Sequence, residues 1–381
     1  MAHDMSRRRV LFLGGLTAAV TAVCGTVHLR RAGVLEPAPR VQPLDLARRR
    51  FPVGAATEVR LVGYDRGVSE PRAYQDAMSA ALDTPAARRL ADRIRVDVRA
   101  GRPVRVLVKP AVNSGKAYPY TASPESVRAV CAWLSGLGVD EILVGDMSGP
   151  GRNTRAALRS TGIERAALEG GAHSVFCFDE RPRRHRWVTH APAAATSFPD
   201  GFRLTAVLSE VDYLIDVARV STHASTGTTL SLKNWQGLAG WPTRMYTHGR
   251  APSLADCMAE YALAVKPDLV VIDAGLAVTT HGPDDGLAVP LGVLLVAEDM
   301  VAADLVSVAL LRHACLDVDR VPGRPGRPFW LEDPRVSVWQ APVVARAVEL
   351  EVGAFAREQV VVDGYRVAPQ LLSAVERTLD G

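Results

Sequence analysis

Lys233 and Asn234, in the stretch Thr229-Leu230-Ser231-Leu232-Lys233-Asn234, close a segment dense in hydroxyls: Ser221, Thr222, Ser225, Thr226, Thr228 and Thr229. An ammonium, an amide and several hydroxyl donors together suit a phosphate or carboxylate better than they suit packing. The bland alternative is a helix start capped by Thr228 or Thr229 beside a solvated lysine. Only four of the 45 basic residues are lysine, Lys109, Lys116, Lys233 and Lys266. Where lysine persists among so many arginines, its compact ammonium is wanted for itself.

A second group is Lys109-Pro110 with Asn113, and Asp146 with Ser148. Lys109 is expected either to touch a ligand or to form a structural ion pair with Asp146. His223, His248 and His281 fall in three separate polar segments. They are expected to converge with Asp273 or Asp284, as metal ligands or as a base with its orienting carboxylate, unless each is a surface or capping residue. The expected catalytic set is thus Lys233, His248, His223 and Asp273. The expected ligand-binding set is Lys109, Asn113, Asp146, Ser148, Thr228, Thr229 and Asn234, and the metal candidates are His223, His248 and His281. Gly149-Pro150-Gly151 resembles a phosphate turn but has neither the dinucleotide fingerprint nor the P-loop order, and no serine-hydrolase elbow occurs. Asp299 reads as an N-cap.

These residues need strand ends to position them. The β-branched run at 104–108 is followed by Ser123-Pro124, a helix start with Pro in the first turn. Apolar residues then recur at helical spacing until Gly136 and Gly138, and 141–145 gives a second strand. Strand, helix and strand in this space form a parallel βαβ unit. Further strands are expected at 174–178, 213–217, 269–273 and 292–297, alternating with helices at 154–168, 254–265 and 300–312. A surface excursion is expected over 181–202, an irregular connection over 322–342, and a last strand and helix near 359–362 and 368–379. The fold class is α/β, a mostly parallel layered sheet with helices on both faces, in one main domain with insertions. Ligands of such sheets bind beyond the carboxyl ends of the strands, where the polar residues above fall.

Hydrophobic residues make up 48% and charged residues 23% of the 381, a globular balance that excludes disorder and a polytopic membrane protein. Residues 1–50 hold nine arginines against three acids, while the remainder has 36 basic and 38 acidic groups, so the body is no nucleic-acid binder by charge. The five cysteines show no CxxC spacing and read as core thiols; no iron–sulfur cluster motif is present.

The ordered set Lys109-Pro110-x-x-Asn113, Ser123-Pro124, Gly145-Asp146-x-Ser148-Gly149, Thr229 to Asn234, His248, Val271-Ile272-Asp273, Gly282-Pro283 and Asp299-x-x-Ala302-Ala303-Asp304 resembles the family called domain of unknown function 362, over about residues 100–315. Some members of that family add a ferredoxin-like iron–sulfur module, whose cysteines are missing here. The resemblance therefore implies a domain and no agreed reaction.

Ser6-Arg7-Arg8-Arg9-Val10-Leu11-Phe12-Leu13, then a weakly apolar run to Val27, reads as a twin-arginine export signal or anchor over 1–33, with a Pro- and Arg-bearing linker at 34–52 and the α/β domain from 53 to 381. The expected localisation is extracytoplasmic, with the twin-arginine translocase as a partner and the leader as a membrane tether if it is retained. The expected function is an enzyme, an oxidoreductase or isomerase, binding a small anionic substrate or cofactor for proton transfer or redox chemistry. The competing class is a carrier of a cofactor or metal. An enzyme needs a perturbed titratable group in an enclosed place, whereas a carrier needs only donors and an exit.

Overall fold

The computed structural model describes residues 56–64, 71–180 and 187–381. The expected leader and linker, with Arg7 and Arg8, lie outside the described residues. The strands are β1 Thr57–Gly63, β2 Arg105–Pro110, β3 Glu141–Asp146, β4 Ser174–Cys177, β5 Trp187–His190, β6 Phe202–Thr205, β7 Tyr213–His223, β8 Gly227–Thr229, β9 Leu269–Val278, β10 Ala288–Ala297 and β11 Val360–Tyr365. The helices are α1 Pro71–Ala81, α2 Pro85–Arg99, α3 Pro124–Gly136, α4 Thr154–Ser160, α5 Ile163–Glu169, α6 Ser231–Asn234, α7 Trp241–Gly249, α8 Leu254–Glu260, α9 Met300–His313, α10 Phe329–Glu332, α11 Pro342–Glu349 and α12 Pro369–Asp380.

Nine strands form one mixed sheet in the order β11-β1-β10-β9-β7-β2-β3-β4, with β8 paired to β7. Five of its pairings are parallel, β1 with β11, β2 with β3 and with β7, β3 with β4, and β7 with β9. β10 runs antiparallel to both β1 and β9. Alternation along the strands supplies two cores. Leu107, Leu143, Leu214, Val270 and Leu295 face one way, toward α8, α9, α11 and α12. Val106, Val108, Ile142, Ile215 and Val271 face the other, toward α1 to α5. The sheet is therefore covered on both faces, as the near-continuous apolar runs require.

The βαβ unit is β2-α3-β3, with the Ser123 hydroxyl accepting from Ser126 N at 3.4 Å and Pro124 at the first helical position. The helix expected over 154–168 is two helices, because Gly162 sits at φ 79° between them. The helix expected over 254–265 stops at Glu260 and tightens into a 3-10 turn at Tyr261–Leu263. The excursion contains the hairpin β5-β6. Its Phe198 and Phe202 are buried in the core rather than on the surface, and Arg181 to Arg186 lie outside the described residues. Cys131, Cys177, Cys257 and Cys315 are buried free thiols. Among the described residues no helix is long and apolar enough to cross a membrane.

Candidate functional site

Asp216 interrupts the apolar strand β7 and is closed to solvent, so its carboxylate must find internal donors. Asn234 Nδ2 donates to its Oδ1 at 2.6 Å, and the Ser231 hydroxyl donates to Oδ2. The Asn234 oxygen in turn accepts from Lys109 Nζ at 2.5 Å. Lys109 also donates to Pro110 O at 3.0 Å and lies 2.7 Å from Asp146 Oδ1. Asp146 Oδ2 takes the Val112 N–H at 2.7 Å, which pins the loop after β2 to the end of β3. Of the two readings of Lys109, the ion pair holds: its ammonium has three internal acceptors and is 1% exposed. Burial pulls the Lys109 ammonium down while Asp146 opposes that, and burial pushes the Asp216 carboxyl up to about 7. The Gly237 backbone passes so close that a methyl group there would overlap both Lys109 and Asp146.

The turn α6 starts without Thr228 or Thr229 as its cap. Leu230 occupies that position, and Asp304 of α9 reaches across to accept Ser231 N at 2.8 Å and Leu232 N at 3.1 Å. A buried carboxylate thus does the work of an N-cap from another element. Ser231, Leu232 and Asn234 are buried, whereas Lys233 keeps contact with solvent. The Lys233 ammonium has no hydrogen bond or ion pair among the described residues, although its carbonyl accepts the Trp235 N–H. Burial, then the charges of Arg219, Arg244 and Lys109, lower its ammonium to about 7, with Asp284 opposing.

Those arginines hold only neutral oxygens, so no contacting carboxylate cancels their charge. Arg219 donates to Pro119 O at 3.2 Å, Asn113 Oδ1 at 3.1 Å and Pro283 O at 3.0 Å. Arg244 donates to Gln236 O at 2.9 Å, Met147 O at 2.5 Å and Ser148 O. Arg219 Nε and Thr229 Oγ1 are buried with no hydrogen-bond partner among the described residues. Asn113 donates its amide to Asp284, which also faces Arg152 at 3.4 Å. Ser148 and Thr228 shape loops: the Ser148 hydroxyl donates to Val112 O at 2.7 Å, and Thr228 O accepts from Thr226 Oγ1 at 2.9 Å.

His223 ends β7, and its Nδ1 accepts from Ser225 N at 3.1 Å and Thr226 N at 3.3 Å, which leaves the proton on Nε2. Burial, then Lys233, Arg219 and His248, push this imidazole down to about 2. His248 lies within α7 rather than in a loop. Its Nδ1 is 2.9 Å from Arg244 O, an atom that can only accept, so the lone pair is on Nε2. Burial holds His248 below its ordinary value, with Lys233 and Arg244 adding to that against the Arg244 carbonyl.

Two expected members stand elsewhere. His281 is exposed, with its ring against Gly326. Among the described residues no group of three or more His, Cys, Asp and Glu side chains is placed to hold a metal, so the three-histidine set is not assembled. Asp273 is engaged by tyrosines rather than by the histidines of the expected set. It accepts the hydroxyls of Tyr64 at 2.9 Å, Tyr118 at 2.9 Å and Tyr74 at 3.0 Å, and the Gly275 N–H at 2.8 Å. Asp299 is the N-cap of α9, as expected, accepting Val301 N at 2.8 Å and Ala302 N at 2.9 Å. Asp216 and Arg219 went unread, although a charged residue inside an otherwise apolar strand is a signal in itself.

The family described as Domain of unknown function (DUF362) matches residues 106–309, from β2 into α9, and that span includes every residue of the network above. The chain belongs to this family. A curated relative, a thylakoid-associated protein of Synechocystis, is 27% identical over 114 residues, covering 29% of this chain and 36% of that protein. The chain thus spans little more than a third of that relative's length. No solved structure matches it.

Proposed function

We propose that the cationic cluster around Lys233 binds a small anion and that the protein is an enzyme moving a proton on that molecule. The observation that carries this reading is the unpartnered Lys233 ammonium among Arg219, Arg244 and Lys109, with an opposing charge, Asp284, that is already engaged by Arg152 and Asn113. A concentration of positive charge with low-dielectric walls attracts an anion, and the anion relieves the repulsion. A group poised near neutrality is matched to proton transfer. His248, with its lone pair on Nε2, accepts a proton; His223, with hydrogen on Nε2, donates a hydrogen bond to the anion. A mere carrier needs no such amine.

Calorimetric titration of wild type and Lys233→Ala with inorganic phosphate and with malonate tests this. Saturable binding of either anion by wild type, weakened about tenfold or more in the variant at nearly unchanged thermal stability, supports it. Equal affinity in both proteins, or no binding of either anion, removes Lys233 as an anion anchor.

The leader supports a second part of the proposal, export of the folded body through the twin-arginine translocase to the outer side of the membrane. The name of the thylakoid-associated relative is in keeping with a membrane-adjacent location.

A further inference from the structure

We infer that Lys233 is a Schiff-base lysine, whose Nζ condenses with the carbonyl carbon of a small 2-oxo acid held by this cluster. The inference rests on the anion-binding reading above and adds the substrate class. Three features of the structure carry it.

The backbone on either side of Lys233 is fixed. Asp304 holds Ser231 N and Leu232 N, and Asn234 is locked between Lys109 and Asp216, so the one free element of the turn is the Lys233 side chain. A nucleophile held on a rigid element with its reacting atom unencumbered is pre-organised for attack.

The neighbours of Lys233 oppose its protonated form. A lysine that only anchors an anion works best beside a carboxylate that keeps it charged, as Asp146 does for Lys109 at 2.7 Å. Lys233 has instead Arg219 and Arg244 within electrostatic reach, both tied to neutral oxygens. Adjacent cations weaken an anchor and strengthen an amine nucleophile.

The remaining groups fit a carboxylate and a carbonyl on adjacent carbons. Arg219 Nε–H and the Thr229 hydroxyl are buried donors without partners, and they suit the carboxylate. His248 Nε2 takes the proton that Lys233 sheds. The neutral amine then adds to the carbonyl carbon, and a proton passes from nitrogen to the new hydroxyl oxygen. His248 returns its proton to that hydroxyl as it leaves as water. The product is the protonated imine, and the sum is ammonium plus carbonyl giving iminium plus water, with charge conserved. The iminium withdraws electrons from the neighbouring carbon, where the proton transfer of the proposed reaction occurs.

The experiment is reductive trapping of the full chain with pyruvate and sodium cyanoborohydride, read by intact mass and peptide mapping. With four lysines in the chain the map is unambiguous. The expected result is one reduced pyruvyl group per chain, on Lys233, absent from Lys233→Arg and slowed by added phosphate. No adduct, or adducts formed equally fast on Lys116 or Lys266, overturns the inference. If phosphate still binds in a Lys233-dependent way while no adduct forms, the Schiff base is wrong and the anion site stands. If neither occurs, both fall.

Discussion

Lys109 Nζ lies 2.7 Å from Asp146 Oδ1, with both side chains closed to solvent and the Gly237 backbone pressed against the pair. Burying such charges is costly, and the arrangement persists because Asn234, Pro110 O and Val112 N satisfy the remaining atoms. The pair joins the ends of two adjacent parallel strands, β2 and β3, to the segment that follows Lys233.

Gly237→Ala is therefore expected to destabilise the protein by about 3–5 kcal/mol, the cost of breaking a buried pair, although alanine favours the backbone there. Its Cβ would sit 2.5 Å from Lys109 Nζ. Urea unfolding measures the effect, and a change below about 1 kcal/mol would show that the pair can shift aside.

His190 should make its own contribution to stability fall in mild acid. Burial pushes His190 down to about 4 from 6.5, so between these values the unfolded chain binds a proton that the folded one refuses. That contribution then rises with pH through this window and is lost at about 1.4 kcal/mol per pH unit on going down from 6.5. His223, pushed down to about 2, acts in the same sense, and the Asp216 carboxyl, raised to about 7, acts in the opposite one. His190→Leu should lower the slope seen by denaturation between pH 6.5 and 4 by about 1.4 kcal/mol per pH unit, and an unchanged slope would assign it to other groups.

Asp273→Asn separates a structural carboxylate from a catalytic one. The amide keeps Oδ1 as acceptor for the Tyr64 and Tyr118 hydroxyls and turns a donor toward the Tyr74 hydroxyl, at a cost of about 2 kcal/mol. Phosphate affinity is expected to stay within about twofold, since no contact links Asp273 to Lys233. A selective loss of binding at full stability would restore Asp273 to the site.

Export is tested with residues 1–50 fused to a reporter that crosses a membrane only when folded. Arg7→Lys together with Arg8→Lys should abolish its translocation, and undiminished translocation would make the leader something else.

The parallel core was legible because Ser123-Pro124, the Gly136 and Gly138 stop and the β-branched runs on either side speak through local chemistry. The same signal, Thr84-Pro85 before Leu90, Ala91 and Ile94, marks α2, which the reading of the chain passed over. Lys233, His223 and His248 were singled out from residue type alone, and the roles proposed for them rest on the geometry. The roles of Asp273 and Asp304 were not legible, because the tyrosines and the turn they hold lie 72 to 209 positions away and no local pattern encodes them. For the same reason the three histidines are not brought into one group: loop histidines share a neighbourhood only if the loops do, and the His281 ring lies against Gly326.

β1, the first strand of the described body, takes its hydrogen bonds from β10 and β11, the last two. Until residues 360–365 are in place, one edge of β1 has no partner, and the sheet remains open next to the segment that precedes it. A nascent chain on the ribosome can pair β2, β3, β4 and β7 as they emerge, but the N-terminal strand must wait for the C-terminal one. Completion of the β-sheet therefore waits for synthesis of residues 360–365, and loss of β11 is felt at β1.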